Sequence, residues 1–130
     1  MTRTVNIDDL LAVRYVENGR SREEGFDCYG LAIEVCRRFG YEIPDLEEAK
    51  VKGYDFFKCM QKGVSLSKVK KVDYPSEPAD VVFLKNNVGV LDHIGVCLGN
   101  GLMIHCNRYG VHIDKIHKWD KRIGRCYRWL

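Results

Sequence analysis

The segment Gly25-Phe26-Asp27-Cys28-Tyr29-Gly30-Leu31 is typical of a loop that turns into a helix with a cysteine in its first turn. Asp27 is a suitable N-cap, which makes Cys28 the first helical residue. Apolar residues then recur at spacings of three and four, as on the inward face of a helix. They are Cys28, Leu31, Ala32, Val35, Cys36 and Phe39. Gly40 is expected to end this helix.

Cys28 is the residue that this pattern singles out for chemistry. The N-terminus of a helix favours a thiolate over a thiol, and cysteine pKa values well below about 8.5 are found there. The sequence therefore predicts an activated nucleophile. The alternative is a small apolar residue at the start of an amphipathic face, which is the commoner situation for a cysteine considered alone.

The length and composition of the chain predict one domain over residues 1–130. Hydrophobic residues make up 45% of the 130 residues, enough for one core without bridges or metals. The balance of 21 basic and 18 acidic residues, a net charge of +3, does not favour nucleic-acid binding. The six cysteines form no Cys-x-x-Cys pair, so no disulfides are expected.

The chain shows no pattern typical of a signal peptide or a membrane span. Residues 1–11 lack the apolar run and small-residue cleavage site of a secretory leader. No stretch approaches the roughly 18 apolar residues that a membrane span requires. We expect synthesis in the cytoplasm.

The patterning changes along the chain from helical to extended. Asn6 is expected to cap a short helix over 7 to about 13, and part of 45–63 is interpreted as another helix. After a proline-containing connector, five β-favouring runs follow, at 80–84, 91–98, 102–106, 111–114 and 124–129. Helices first and strands afterwards predict an α+β domain, with the Cys28 helix on an antiparallel meander of approximately five strands.

Two of the four histidines, His93 and His105, flank the tight turn Gly99-Asn100-Gly101. A two-residue turn would put them on opposite faces of the hairpin, because side chains alternate along a strand. A three-residue loop pairs Leu98 with Leu102 and makes the histidines diagonal neighbours on one face. We predict the three-residue loop, with Gly101 in a left-handed conformation.

If the Cys28 helix covers that face, the sheet presents two imidazoles to the thiol. His93 would then accept the Cys28 proton, and His105 would hold the His93 ring in the right tautomer and orientation. His112 and His117 lie outside the hairpin and are interpreted as surface or structural residues.

Three segments, taken together, resemble the NlpC-type family of papain-like cell-wall cysteine peptidases. They are residues 25–31, then Asp80-Val81-Val82-Phe83-Leu84, and then His93-Ile94-Gly95-Val96-Cys97-Leu98-Gly99-Asn100-Gly101-Leu102-Met103-Ile104-His105. The resemblance implies a papain-like fold in which Cys28 is the nucleophile, His93 the base and His105 the third member. It implies hydrolysis of an amide bond in peptidoglycan stem peptides, between D-glutamate and the diamino acid, without a metal or cofactor.

The same resemblance suggests residues around the reacting carbonyl. Tyr15 is expected to line the site and help to bind the oxyanion, and Asp27 and Tyr29 are grouped with it as substrate or oxyanion residues. The commonest family form has serine where Tyr29 stands and glycine where Ala79 stands, so the details of the substrate pocket are expected to differ.

A narrower similarity points to the branch found in phage tail proteins. It rests on Arg14-Tyr15, Asn18-Gly19-Arg20-Ser21, Phe39-Gly40-Tyr41-Glu42-Ile43-Pro44-Asp45 and the closing Trp119 with Tyr127-Arg128. This similarity implies phage tail proteins as partners and action at the cell wall, to which a virion tail would deliver a hydrolase without a signal peptide.

Three alternatives stay open at this point. The first is a papain-like amidase, deamidase or acyltransferase with a substrate outside the wall. The second is a non-catalytic tail or wall-binding component. The third is a zinc site made from Cys28, His93 and His105 with Cys97 or Cys106, against which the lack of close ligand pairs argues. Residues 45–72 are, from their position alone, the expected source of substrate selectivity.

Overall fold

The computed structural model describes residues 5–50, 58 and 68–130. Helix α1 spans Cys28–Arg38, and 3-10 helices lie at Asp8–Leu10, Glu47–Lys50 and Ile116–Arg122. The strands are β1 (Arg20–Ser21), β2 (Gly25–Phe26), β3 (Val69–Val72), β4 (Val81–Lys85), β5 (Leu91–Gly99), β6 (Leu102–Asn107), β7 (Gly110–Lys115) and β8 (Ile123–Trp129). None of the described helices is long and apolar enough to cross a bilayer.

The main sheet is antiparallel and has the strand order β3-β8-β4-β5-β6-β7. The predicted α+β class is therefore confirmed, and β4 to β7 form the expected meander. The last strand does not continue it, because β8 returns to pair with β4. The expectation of about five strands omitted β3, whose sequence Val-Lys-Lys-Val buries its first residue and exposes both lysines, as suits an edge strand.

Helix α1 begins and ends as its sequence predicts. The Asp27 carboxylate accepts a hydrogen bond from the Gly30 N–H at 2.7 Å, which caps the first turn. Gly40 follows the last turn with φ of 95°, and its N–H donates to the Arg37 carbonyl at 2.9 Å. Every residue of the predicted inward face is at most 8% exposed. Cys28 is thus held at the first position of a capped and buried helix.

The helix predicted over 7 to about 13 is wrong. The chain makes only one 3-10 turn there, with the Asp8 N–H donating to the Asn6 side chain at 2.9 Å. Ala12 has φ of 64° and donates to the Val111 carbonyl at 3.0 Å, so hydrogen bonds to β7 replace those of a longer helix. Most of the segment 45–63, in which another helix was predicted, lies outside the described residues. Its described part contains the 3-10 turn Glu47–Lys50.

Candidate active site

The β5–β6 hairpin places His93 and His105 on the same face. Gly95 pairs with His105 and Cys97 with Met103, so His93 and His105 are diagonal neighbours, as predicted. The predicted loop is wrong, because Gly99 pairs with Leu102 across a two-residue turn. An irregularity between Cys97 and Gly99 supplies the extra residue that restores the register.

The turn itself explains the difference. Asn100 and Gly101 have φ of 56° and 75°, the left-handed pair that a tight hairpin turn requires. Gly101 is left-handed as predicted, while Leu98 sits in the bulge and does not pair with Leu102. The two histidines therefore share a face because of the bulge and not because of a three-residue loop.

The two imidazoles belong to a hydrogen-bonded chain that continues to an acid. His93 Nε2 lies 2.9 Å from His105 Nδ1, and His105 Nε2 lies 2.9 Å from Asp114 Oδ2. The Trp119 indole N–H donates to the same carboxylate oxygen at 3.2 Å. The Trp119 ring also packs against His93 and His105, with centroids 5.9 and 5.1 Å away. His105 is fully buried between these partners.

Asp114 was missed in the sequence interpretation. It lies on β7 opposite Met103, while His112 lies opposite His105. Alternate residues of a strand share a face, so the pattern Val111-His112-Ile113-Asp114 indicated that His112 and Asp114 lie on the same face of the sheet. His112, interpreted as a surface or structural residue, is half-buried with its Nε2 3.4 Å from Asp114 Oδ2, and His117 is exposed.

The carboxylate determines the tautomers of both histidines. An ionised carboxylate only accepts hydrogen bonds, so His105 carries its proton on Nε2 and accepts at Nδ1. His93 then donates from Nε2, and its Nδ1 keeps the free lone pair. Burial alone would raise the pKa of Asp114, but hydrogen bonds from His105 and Trp119, together with the neighbouring His105 and His112, bring it below its ordinary value. Nδ1 of His93 is thus the atom prepared to accept a proton.

The thiol of Cys28 lies beside the start of β5, next to the residue that precedes His93. Its Sγ lies 3.9 Å from the Asp92 carbonyl oxygen, and only 8% of the residue is exposed. Cys28 and His93 line one cleft of about 410 Å³. The remaining lining residues are Tyr15, Asp92, Cys106, Asn107, Arg108, Trp119 and Arg122.

The helix does not cover the face that carries the histidines, which corrects the arrangement considered from the sequence. Ile94 and Ile104 belong to the core under α1, whereas their neighbours Cys97 and Met103 belong to a second core with Ile116. The histidines point to this second side, beneath the 3-10 helix Ile116–Arg122. Cys28 and His93 therefore line the cleft near the start of β5, and not across one face of the sheet.

The protonation states of the free site also differ from the expectation. Burial, followed by the Asp27 charge, raises the pKa of the Cys28 thiol above its ordinary value. Burial and the neighbouring His105 and Arg122 lower the pKa of His93 to about 3. The prediction of a depressed thiol pKa is wrong for the protein without substrate, because burial raises the pKa of Cys28 by more than the helix N-terminus lowers it. At neutral pH the site holds a neutral thiol and a neutral imidazole.

Residues 12–128 match the model of the NlpC/P60 family. The chain belongs to the NlpC/P60 family. Among curated proteins it is similar to the probable endopeptidase p60 of Listeria seeligeri, with 31% identity over 92 residues, and to a probable endopeptidase of Mycobacterium tuberculosis, with 28% over 95 residues. These matches cover 71% and 73% of this chain but only 15% and 20% of the relatives.

Two solved structures carry the same α+β fold as this family member. The NlpC/p60 domain of the peptidoglycan hydrolase SagA has a TM-score of 0.56 and 18% identity, covering 90% of this chain and 87% of that one. An NlpC/P60 family protein from Bacillus cereus has a TM-score of 0.63 and 22% identity, covering 98% and 41%. The papain-like fold that the resemblance implied is thereby confirmed, and the phage-tail branch stays a prediction.

Tyr15, which the family resemblance suggests as an oxyanion residue, is among the residues of the cleft. It lines the cleft with Cys28, and 41% of the residue is exposed. Its backbone bridges to Phe26 just before the helix, which holds the ring at the mouth of the cleft. Partial burial, followed by the charge of Asp27, raises the pKa of the Tyr15 phenol. The hydroxyl is therefore a hydrogen-bond donor at neutral pH.

Asp27 and Tyr29 do not line the cleft, which corrects their grouping with the substrate residues. The Asp27 carboxylate is occupied by the N–H groups of Gly30 and Asn18 and by the Arg20 guanidinium, at 2.7, 3.1 and 2.8 Å. Tyr29 is fully buried and donates to the Pro44 carbonyl at 2.8 Å. Both residues instead fix the first turn of α1 and so position Cys28.

The zinc site considered from the sequence is not assembled. Cys106 Sγ lies 3.2 Å from the Phe26 carbonyl, and Cys97 is buried in the second core. Within the described part of the chain, the group whose ligand atoms lie within 4.8 Å of one another is His105, His112 and Asp114. It contains neither His93 nor a cysteine.

Proposed function

We propose that this domain is a cysteine peptidase that hydrolyses an amide bond in peptidoglycan stem peptides, between D-glutamate and the diamino acid. The observation that carries the proposal is the single cleft that joins Cys28, at the start of α1, to the chain His93–His105–Asp114. Its relatives are named probable endopeptidases, and this chain spans between 15% and 20% of their length. The substrate is therefore argued from this cleft and from the family.

The first half of the reaction forms an acyl-enzyme. Cys28 Sγ attacks the carbonyl carbon while its proton moves to His93 Nδ1, so that no free thiolate is needed beforehand. The His93 imidazolium donates to His105, which donates to the Asp114 carboxylate. The Cys28 backbone N–H and the Tyr15 hydroxyl stabilise the oxyanion. His93 then returns the proton to the leaving amine as the C–N bond breaks.

The second half releases the acid. A water molecule takes the place of the amine, gives its proton to His93 and attacks the thioester carbon. The tetrahedral intermediate collapses, the C–S bond breaks, and the proton returns from His93 to Cys28 Sγ. The chain of hydrogen bonds is the same in both halves, so His93 alternates between base and acid.

The charges of the cleft suit a stem peptide. Arg108, Arg122 and Asp92 are among the residues that line it, and the Asp92 carboxylate accepts a hydrogen bond from the Asn86 side chain at 3.0 Å. A D-glutamyl residue that is linked through its side chain keeps a free α-carboxylate, which an arginine can bind in a bidentate manner. A diamino acid keeps an ammonium group, for which Asp92 is the complementary charge. The cleft thus offers partners for both sides of the proposed bond.

The test is the release of amino groups from purified peptidoglycan, with the fragments identified by mass. We expect release by the wild-type chain and none by Cys28→Ala, while the matched variant Cys126→Ala retains it, because Cys126 is buried away from the cleft. Release by Cys28→Ala would contradict the proposal. Wall binding without release, equal in both proteins, would support a non-catalytic component instead.

A finer part of the proposal concerns delivery. The segments around Tyr15, Arg20 and Tyr41 resemble the phage-tail branch of the family, which supports a virion tail as the carrier that brings the domain to the cell wall. Mass spectrometry of purified particles, induced from cells that carry the gene, is the test. Peptides of this chain in intact particles are expected, and their absence from the particles would refute tail delivery without touching the peptidase assignment.

A further inference from the structure

His112 makes a contact that neither the fold nor the proposed reaction explains. It lies directly opposite His105 on β7, with 34% of its side chain exposed. Its Nδ1 lies 3.0 Å from the Gly110 carbonyl, which makes Nδ1–H a donor and leaves the lone pair on Nε2. That nitrogen lies 3.4 Å from Asp114 Oδ2. In the tautomer that donates from Nδ1, the lone pair of His112 Nε2 therefore faces a carboxylate oxygen, and either a proton or a metal ion can lie between these two acceptors.

The groups around this contact form the donor set of a transition-metal site. His105, His112 and Asp114 bring ligand atoms within 4.8 Å of one another, and Nε2 of each histidine faces the carboxylate. Two imidazoles and one carboxylate suit Zn²⁺ and neighbouring divalent ions. The outer partners that orient such ligands are also present, because Gly110 holds His112 and the Trp119 N–H holds Asp114.

We propose that His105, His112 and Asp114 bind a divalent transition-metal ion such as Zn²⁺, and that this ion switches off the base. Each imidazole keeps one proton throughout. An ion on His105 Nε2 takes the lone pair there, so the His105 proton moves to Nδ1 and is donated to His93 Nε2. The His93 proton must then sit on Nδ1, where the reaction needs a lone pair. His93 can no longer accept the proton of Cys28.

The inhibitory consequence rests on the proposed roles of Cys28 and His93, whereas the binding of the ion does not. The two parts are therefore tested separately. Zn²⁺ also binds thiols, so the binding test uses the Cys28→Ala protein, prepared without a histidine tag. Calorimetry with Zn²⁺ gives the stoichiometry and affinity, and the absorption spectrum with Co²⁺ shows whether a thiolate is among the ligands.

We expect one ion per chain in Cys28→Ala, with a cobalt spectrum that lacks thiolate charge transfer. Adding His112→Gln should weaken the affinity at least about tenfold, because the loss of even an outer partner of a metal ligand costs about 10- to 100-fold and His112 is proposed as a ligand itself. Adding His117→Gln is the matched control, since His117 is exposed and outside the cluster, and it should change nothing. No binding by Cys28→Ala, or equal affinities in the two double variants, would overturn the proposal.

The activity test uses chains that retain Cys28. Zn²⁺ should inhibit the wild-type chain and His117→Gln at the same concentration, and His112→Gln should require at least about tenfold more, in line with its weaker binding. An active enzyme that binds the ion at this cluster without losing activity would overturn the inhibitory part. A chain without any activity that depends on Cys28 would refute the proposed function, and the calorimetry alone would then decide on the metal site.

Discussion

Replacement of Asp114 by asparagine tests the chain of hydrogen bonds behind His93. Asp114 Oδ2 accepts from His105 Nε2 at 2.9 Å, and only 19% of its side chain is exposed. A hydrogen bond to a charged group contributes about 1.5–3 kcal/mol, and each 1.36 kcal/mol corresponds to a factor of ten in rate. Asp114→Asn should therefore lower kcat about 10- to 160-fold. KM should change little, because Asp114 does not line the cleft.

The mechanism behind this loss is the tautomer, which gives the experiment a second readout. The introduced amide can donate to His105 Nε2 and thereby move the protons of both histidines to Nδ1, so the base is lost even though the geometry stays intact. Steady-state rates of amine release across pH, for Asp114→Asn and for Asp120→Asn as a matched control on the exposed part of the 3-10 helix, provide the measurement. Thermal unfolding excludes a folding defect. The reasoning is refuted if Asp114→Asn keeps kcat within twofold while Cys28→Ala abolishes release.

The remaining predictions concern pH, the oxyanion and the helix. Because the pKa of His93 is lowered to about 3 and that of Cys28 is raised, kcat/KM should stay level from well below pH 6.5 to above pH 9, whereas an acid limb near 6.5 would contradict the assigned states. Tyr15→Phe should lower kcat about 10²- to 10³-fold if its hydroxyl binds the oxyanion, and an unchanged kcat would remove it from that role. Gly30→Ala should destabilise the fold by about 1–3 kcal/mol in urea unfolding, because its Cβ would lie 2.1 Å from the Gly19 carbonyl oxygen, and equal stability would contradict this contact.

The helix of the site could be predicted because its signals are local. Asp27 as a cap, Gly40 as a stop and the three- and four-residue spacing between them depend on neighbours in the chain, and all three are present in the structure. The placement of His93 and His105 on one face was also predicted, although for a different turn. Because side chains alternate along a strand, the two histidines can lie only on the same face or on opposite faces of the hairpin. The predicted loop was wrong, but it also placed them on the same face.

The rest depended on contacts between distant segments. The bulge at Leu98 has no signature in Cys97-Leu98-Gly99, since it compensates for a turn whose geometry Asn100 and Gly101 determine. Asp114 joins the site only through the pairing of β6 with β7. The raised pKa of Cys28 depends on the walls of the cleft, which the position of a cysteine at a helix N-terminus does not reveal.

The neutral state of the site has a physical advantage for the proposed reaction. A thiolate and an imidazolium formed before the reaction would both be held away from water, since Cys28 is only 8% exposed. The loss of their hydration is unfavourable and is offset only when the two charges are paired in an excellent geometry. With a neutral thiol, charge appears only as the carbonyl is attacked. At that moment the positive charge on His93 is spread through His105 towards Asp114, and the negative charge lies on the oxyanion. The Asp114 carboxylate, separated from Cys28 by the two imidazole rings, therefore acts mainly on the transition state, which is why its removal should affect kcat and not KM.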